Sequence, residues 1–222
     1  KTRDPAMKSY LQILLFNNSV KIMFWYRIAN FLYHIKFKYI SYFIMNRVKR
    51  KTGAEVHPAS TIGKFLLIDH GVGVVIGETS IIGNNCTIYQ GVTLGGTGKE
   101  QGKRHPTIGD NVMIAPNVTI TTVNHPLAPE KRRVFETKDS FHPGKKGNWE
   151  IIAPVTIGDD VWIGAGSIIL PGVTIGDNTV IGAGSVVTKS IPANVVAVGV
   201  PCRVMREITE ADKTAYPFYQ ET

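Results

Sequence analysis

Apolar residues recur at every sixth position through the last third of the chain. The anchors of this run are Ile157, Ile163, Ile169, Ile175, Ile181 and Val187. Glycine directly follows four of these anchors, and glycine lets the backbone turn tightly. A period of six fits neither a single α-helix nor a plain alternating strand. It predicts a coil of three short strands per turn, with one buried anchor on each strand and successive coils stacked at about 4.8 Å.

The same period occurs earlier in the chain, in three shorter registers. The first is Val56, Ile62, Ile68 and Val74, the second is Ile76, Ile82, Ile88 and Leu94, and the third is Ile108, Ile114 and Ile120. The second register is shifted by two residues from the first. We therefore predict one solenoid domain over residues 55–205, followed by a tail over residues 206–222. The repeat breaks at residues 95–106 and 121–154, which predicts two loops, and functional residues tend to lie on such loops.

Residues 1–54 lack this period and predict a separate N-terminal helical region. Asp4 suits a helix N-cap and Pro5 the first helical position. A polar break at residues 17–19 precedes one or two amphipathic helices that end near Gly53. The segment is not a membrane span, because basic residues interrupt every apolar stretch of the required length. We expect a helical cap that packs on the solenoid and on neighbouring subunits.

The net charge of +8 is unevenly distributed. Residues 1–54 carry eleven Lys or Arg and one acid, which gives +10, whereas the remainder carries fourteen bases and sixteen acids, which gives −2. Such a basic region could bind nucleic acid or a membrane surface. However, the bases are dispersed among apolar residues and no nucleic-acid-binding motif accompanies them. We therefore expect neither nucleic acid nor a membrane as a partner.

The cysteines and histidines exclude other classes of site. Cys86 and Cys202 cannot form a disulfide framework. The first residues contain no apolar signal-peptide core, so a cytoplasmic location is expected. The six histidines show no metal-ligand spacing, and no nucleotide-binding glycine loop or nucleophile elbow is present. We expect neither a metal nor a covalent acyl-enzyme.

The stretch "TIGDDVWIGAGSIILPGVTIGDNTVIGAGSVV" resembles the hexapeptide-repeat acyltransferases. That resemblance implies a mainly β fold, a left-handed parallel β-helix, with the N-terminal α-helical region attached to it. It also implies acyl transfer and self-association, because a solenoid hides its flat faces against copies of itself. The fold alone does not identify the acceptor.

Residues 2–111 resemble the serine O-acetyltransferases. The resemblance is carried by "RDPA", "YRIANFLY", "IDHGVGVVIGET", "YQGVTLGGTGK" and "KRHP". It implies transfer of acetyl from acetyl-CoA to the hydroxyl of L-serine, giving O-acetylserine for cysteine biosynthesis, by direct general-base catalysis. It further implies a homotrimer, or a dimer of trimers, with sites between subunits. Members that bind the next enzyme of cysteine synthesis end in Ile, so Thr222 implies no such complex.

The same resemblance assigns roles to individual residues. His70 matches the general base and Glu55 its carboxylate partner. The groups expected to bind serine are Asp4, Asp69, Arg104 and His105, and His105 is also a candidate second catalytic imidazole. These types suit the chemistry, because a serine hydroxyl is weakly acidic and needs a base with a pKa near neutral. A carboxylate fixes the imidazole tautomer, and an arginine binds a carboxylate bidentately.

Residues 107–222 instead resemble the galactoside and maltose O-acetyltransferases. The stretches that carry this are "TIGDNVMIAPNVTITTVNHPLAPEKRR" and "NTVIGAGSVVTKSIPANVVAVGVPCRVMREIT". His125, in "NHP", matches the catalytic histidine of that family. The residues expected to contact acetyl-CoA by this match are Ala165, Ala183, Thr188, Lys189, Arg203 and Arg206.

Two resemblances in one chain leave three hypotheses. The first is a serine O-acetyltransferase, and we hypothesise that the chain is a chimera whose second half supplies the donor groove. The second is a galactoside- or maltose-type O-acetyltransferase that uses His125. The third is an inactive hybrid, or a β-helix scaffold without catalysis.

Overall fold

The structure is a computed structural model that describes residues 17–96, 102–132, 135–136, 146–147 and 150–214. In the described part of the chain, two long helices precede a solenoid of short parallel strands. Asp4 and the end of the tail, residues 215–222, lie outside the described residues. A parallel β-helix with an N-terminal helical region is therefore confirmed.

The two helices are antiparallel neighbours joined by a short turn. Helix α1 spans Asn18–His34, and the Asn17 side chain caps it by accepting the N–H of Val20 at 3.1 Å. Helix α2 spans Lys38–Thr52 and ends at Gly53, whose φ of 75° is left-handed. Within the described helices, none is long and apolar enough to cross a membrane.

The solenoid has three faces, each a stack of parallel strands. Face A contains β1 (Glu55–Val56), β4 (Val75–Ile76), β7 (Thr93–Gly95), β10 (Thr119–Thr121), β17 (Ile168–Ile169) and β20 (Val186–Val187). Face B contains β2 (Thr61–Ile62), β5 (Ile81–Ile82), β8 (Thr107–Ile108), β15 (Thr156–Ile157) and β18 (Thr174–Ile175). Face C contains β3 (Leu67–Ile68), β6 (Thr87–Ile88), β9 (Met113–Ile114), β16 (Trp162–Ile163), β19 (Val180–Ile181), β21 (Val195–Gly199) and β22 (Cys202–Glu207).

The remaining elements lie in the second loop and at the C-terminal side. They are β11 (Val123–Asn124), α3 (Pro129–Arg132), β12 (Phe135–Glu136), β13 (Lys146–Gly147), β14 (Ile151–Ile152) and α4 (Glu210–Thr214). Strands β11 and β14 pair antiparallel, as do β12 and β13. Strand β22 runs antiparallel to β21, beside the last coil.

The predicted anchors form the core of the solenoid. On the three faces, each two-residue strand places its second side chain inward, and the register stacks like on like, for example Ile82 on Ile108 and Ile114 on Ile163. Nearly all anchors are less than 2 % exposed. Burying such a column of branched side chains is the main stabilising contribution, because each buried side chain is worth about 1.5–3 kcal/mol.

The corner between faces B and C is stacked by side chains as well as by strands. At the second position of this corner, a side-chain oxygen accepts the backbone N–H of the coil before it. The bonds run from the N–H of Lys64 to Asn84, of Asn84 to Asp110, of Asp110 to Asp159, and of Asp159 to Asp177, at 2.6–2.9 Å. We call this set the corner ladder. It explains why Asp or Asn follows glycine in the repeat.

The third position of the same corner is left-handed in every coil. The residues there are Phe65, Asn85, Asn111, Asp160, Asn178 and Asn194, with φ between 51° and 61°. Asn and Asp tolerate this conformation better than other non-glycine residues. Phe65 is the exception, and its ring is exposed.

The other two corners carry the irregularities of the repeat. Both loops leave at the end of a face A strand and return to face B, after β7 and after β10. The corner from β3 to β4, residues 69–74, is two residues longer than the next corner on that edge, residues 89–92. This insertion is the shift of two residues between the first and second hydrophobic registers.

Candidate active site

A groove of about 910 Å³ lies between face A and helix α2. Its polar lining residues include Lys49, Glu55, His57, Glu78, Arg104 and His105. The structure thus brings together three residues predicted from the sequence, namely Glu55, Arg104 and His105. It adds Glu78 and His57, to which the sequence assigned no role, although Glu78 lies in the "IGET" motif.

Arg104 is held in the groove by an ion pair with Glu78. The arginine side chain is only 13 % exposed, and the Tyr33 hydroxyl donates to Glu78 at 3.5 Å. Burial would raise the pKa of Glu78, but the hydrogen bond and charge of Arg104 outweigh burial and lower it. Glu78 is therefore a carboxylate that positions the guanidinium for an anionic ligand.

His105 is held by Thr79, one residue beyond Glu78. The backbone N–H of Thr79 donates to Nδ1 of His105 at 3.2 Å, and the Thr79 hydroxyl lies 2.9 Å from the same nitrogen. Because a backbone N–H can only donate, Nδ1 accepts and the proton of the neutral ring lies on Nε2. Burial and the charge of Arg104 lower the pKa of His105 to about 4. His105 is therefore a neutral donor through Nε2 at physiological pH.

His57 completes this end of the groove. Its Nδ1 accepts the backbone N–H of Ala59 at 3.1 Å, and its ring meets the rings of Tyr33 and Tyr42 edge to face. Burial lowers the pKa of His57. Its surroundings are those of a packed, neutral side chain in the wall of the groove.

Glu55 and His70 do not meet within one chain. Glu55 forms an ion pair with Lys49 of helix α2. His70 lies at the corner between faces C and A, with φ of 58° and a side chain that is 72 % exposed. Asp69 is its neighbour, accepting the N–H of His70 at 2.9 Å. Neither His70 nor Asp69 lines the groove.

The residues predicted to contact acetyl-CoA lie on two edges of the solenoid and on its last strand. Ala165 and Ala183 are exposed on the corner between faces C and A, the edge that also carries His70. Thr188 and Lys189 lie beyond β20, on the corner between faces A and B. Arg203 and Arg206 lie in β22, where Arg206 pairs with Asp212 at 2.7 Å. The structure does not gather the six around one pocket.

His125 lies on the second loop, close in the fold to the first. Three residues before it, the Thr122 hydroxyl donates to the carbonyl oxygen of Arg104 at 2.6 Å. The two loops therefore leave the solenoid side by side, because β7 and β10 are neighbours on face A. Among the described residues, no group of three or more His, Cys, Asp or Glu could hold a metal ion.

Comparison with known proteins identifies first the class and then the family. Residues 154–189 match the family model Hexapep, described as "Bacterial transferase hexapeptide (six repeats)", which agrees with the three-faced solenoid. The chain is 40 % identical to the serine acetyltransferase of Bacillus subtilis over 168 residues, covering 76 % of this chain and 63 % of that one. It is 37 % identical to the serine acetyltransferase of Bacillus pumilus over 203 residues, covering 91 % and 71 %. The chain belongs to the serine acetyltransferase family.

Solved structures give the same family. The serine acetyltransferase of Neisseria gonorrhoeae in complex with serine is 32 % identical, with a TM-score of 0.62 over 91 % of this chain and 63 % of that chain. The enzyme of Brucella abortus in complex with coenzyme A is 29 % identical, with a TM-score of 0.61 over 93 % and 63 %. The chain thus spans less than two thirds of the length of several relatives.

Proposed function

We propose that this chain is an acetyl-CoA-dependent serine O-acetyltransferase. The observation that carries the proposal is the groove on face A, where a largely buried guanidinium and a neutral imidazole donor lie side by side. Family membership supports the same reaction, as do relatives crystallised with serine and with coenzyme A. The groove is lined by both acidic and basic side chains, which suits a small zwitterionic acceptor.

The acceptor is bound through its two charges. Arg104, oriented by Glu78, binds the serine carboxylate, and Nε2–H of His105 donates a further hydrogen bond. Asp69, with Asp4 from the segment outside the described residues, binds the ammonium group. Opposite charges at the two ends of the site select an amino acid over a neutral alcohol.

The transfer is a direct displacement at the thioester. His70 removes the proton of the serine hydroxyl as the oxygen attacks the carbonyl carbon of acetyl-CoA, which gives a tetrahedral oxyanion. The carbon–sulfur bond then breaks, and the leaving thiolate of CoA takes the proton from His70. The donor lies along the edge that carries His70, Ala165 and Ala183, with Arg203 and Arg206 toward its phosphates. Thr188 and Lys189, which lie on the A–B edge, approach those phosphates from the neighbouring chain.

We infer that each site forms between neighbouring chains of a homotrimer, which a dimer of trimers would preserve. The supporting geometry is that His70 lies on one edge of face A, whereas Arg104 and His105 lie on the other. Packing one solenoid against the next brings unlike edges together. In this assembly Glu55 loses its ion pair with the half-exposed Lys49 and pairs with His70 instead. The loss costs little stability, because exposed ion pairs contribute about 0–1 kcal/mol.

A subunit-mixing experiment tests reaction and assembly together. His70→Asn and His105→Ala are each expected to lack most activity, and asparagine tolerates the left-handed backbone at position 70. Refolding the two variants together should restore about one quarter of wild-type serine-dependent CoA release, because one interface in four then holds both histidines. Variants mixed without refolding are the control. No recovery after refolding would place the whole site in one chain.

The second candidate function is sugar O-acetylation through His125. It is supported by the hydrogen bond between Thr122 and Arg104, which holds the loop that carries His125 beside the loop that carries Arg104. His125→Ala should leave serine-dependent CoA release unchanged under the first proposal. Galactoside- or maltose-dependent release that disappears in this variant would establish the second. Failure of all acceptors with intact acetyl-CoA binding would favour the inactive hybrid or scaffold.

Several finer expectations stay predictions. They are the left-handed winding, the sugar-enzyme resemblance of residues 107–222, the chimeric origin, the division at residues 54 and 205, the cytoplasmic location, the absence of a metal, and the absence of a cysteine synthase complex. The alignment with the Bacillus pumilus protein nevertheless spans both halves in one match, as expected for a single family.

A further inference from the structure

Helix α1 has two apolar sides, only one of which packs on the solenoid. Ile22, Tyr26 and Ala29 are fully buried, and the Tyr26 hydroxyl donates to the carbonyl oxygen of Ser60 at 2.5 Å. On the opposite side, Phe24, Phe31 and Ile35 are 58 %, 63 % and 45 % exposed. Their spacing of seven and four residues places them in one stripe.

Helix α2 extends this apolar surface. Ile40 and Phe43 are 51 % and 60 % exposed, and Trp25 of α1 is 44 % exposed. Trp25 and Phe43 line a groove of about 700 Å³ between the two helices. Single exposed apolar residues are ordinary, whereas a contiguous aromatic patch marks an interaction surface. We call this patch, with the bases around it, the outer helical face.

Within residues 17–54, all Lys, Arg, Asp and Glu charges are positive. Residues 17–54 contain eight Lys or Arg and no Asp or Glu. Two of these bases serve the fold, because Arg27 donates to the carbonyl oxygen of Ile62 at 2.6 Å and Lys49 pairs with Glu55. Lys21, Arg47 and Lys51 line the groove between the helices, and Arg50 is exposed on α2. A ligand of this face must therefore be both apolar and anionic.

We propose that the outer helical face docks on an anionic phospholipid surface. Helices that lie in the membrane interface combine bulky aromatic side chains with lysine and arginine on one surface. Each basic residue adds attraction to acidic headgroups, and the aromatic rings enter the interfacial layer. None of the described helices is long and apolar enough to cross a bilayer, and the proposed contact is with the membrane surface.

This inference revises the expectation drawn from the sequence. The basic residues are indeed dispersed among apolar ones, but the structure turns both toward the same outer side. A second copy fits this face less well, because it would bring two acid-free, basic surfaces together. An acidic protein is the other rival, and it becomes an outcome of the test.

Vesicle co-sedimentation of the full 222-residue chain tests the proposal. Binding to vesicles of phosphatidylcholine mixed with phosphatidylglycerol should exceed binding to phosphatidylcholine alone by at least about tenfold in partition coefficient. High salt should release the protein, because it screens the headgroup charge. Equal binding to the two kinds of vesicle, or none to either, would overturn the proposal.

Matched variants locate the contact. Phe24→Ser with Phe31→Ser, and separately Arg47→Glu with Arg50→Glu, should each lower the partition coefficient about tenfold. The control is Leu127→Ser with Lys131→Glu, which changes one exposed apolar and one exposed basic residue on the second loop. Thermal unfolding and serine-dependent CoA release should stay unchanged in all three. Equal loss in the control would overturn the proposal.

Light scattering without lipid distinguishes the two other possible partners of this face, a second copy of the chain and an acidic protein. If the aromatic variant lowers the mass of the assembly and vesicles do not bind, the face joins two copies of the chain. If the mass is unchanged and vesicles do not bind, a soluble acidic partner is the better explanation. Either result refutes membrane docking.

Discussion

The decisive residue of the groove is His105, and its role depends on a contact invisible in the sequence. The motif "KRHP" predicts a function for His105, but not which ring nitrogen carries its proton. Only the fold brings the backbone N–H of Thr79 to Nδ1. The imidazole is thereby a donor, which leaves His70, exposed on the other edge, as the proposed general base.

Two substitutions at position 105 test the donor role. His105→Gln keeps an N–H near the position of Nε2, whereas His105→Ala removes it. We expect a loss in kcat/KM of about a hundredfold for alanine, as for removing one donor to a developing charge, and clearly less for glutamine. Equal losses would contradict the donor role. Thermal unfolding of both variants controls for folding.

The lowered pKa of His105 also predicts a pH dependence of stability. The unfolded chain protonates this imidazole below about 6.5, its ordinary value, while the folded chain does so only near 4. The unfolded state therefore binds more protons in this window, and stability falls as pH drops from 6.5 to 4. Denaturant unfolding of His105→Gln should show a shallower fall than wild type. Parallel curves would contradict the prediction.

Phe65 is the residue whose substitution should stabilise the fold. It occupies a left-handed position that asparagine or aspartate fills in the other five corners of the B–C edge. Phe65→Asn should raise the free energy of unfolding by about 1 kcal/mol, the penalty that the phenylalanine backbone carries there. The reverse change, Asn85→Phe, should lower it by a similar amount. An unchanged melting temperature in both would contradict this.

At the scale of elements, the period of six predicted the strands well, because one buried anchor per strand is a local property. The offset of two residues between the first and second hydrophobic registers, after Val74, was visible in the sequence too. Only the structure shows which corner it lengthens. The two extra residues form the longer corner that exposes His70. Pairing between corners could not be predicted, because Asp110 and Asp159 are far apart in sequence and meet only after the second loop returns.

The corner ladder gives the prediction at this scale. Asp159→Ala removes the acceptor of the Asp110 N–H and should destabilise the chain by about 1 kcal/mol. Asp160→Asn is the matched control, because it removes a neighbouring charge while keeping a residue suited to the left-handed backbone. Thermal unfolding measures both. Equal destabilisation would mean that charge, rather than the ladder bond, matters.

At the scale of the whole molecule, the sequence predicted the helical region and the solenoid, but not the outward turn of its aromatic residues. The sequence shows that Phe24 and Tyr26 are both apolar. Only the structure, in which helix α1 packs on the first coil, shows that Tyr26 is buried and Phe24 is exposed. The separation of His70 from His105 across face A likewise became visible only in the structure. Under the proposed function, in which both act in one site, activity depends on assembly.

Dilution tests that dependence. Specific serine-dependent activity should fall as the assembly dissociates, while circular dichroism keeps the β signal, because each solenoid has its own core. Mass by light scattering, measured on the same dilution series, should fall in step with activity. Full activity in a dissociated monomer would contradict sites shared between chains.

The confinement of both loops to one corner has an evolutionary consequence. The loops at the A–B corner can change in length without removing a hydrogen bond of the corner ladder on the B–C corner. Selection can therefore alter one edge of the solenoid while the rest of the fold is kept. Arg104, His105 and His125 all lie on the loops at this A–B corner. A lineage could therefore exchange acceptors by recombining loops there, and still inherit the same proposed donor site along the C–A edge.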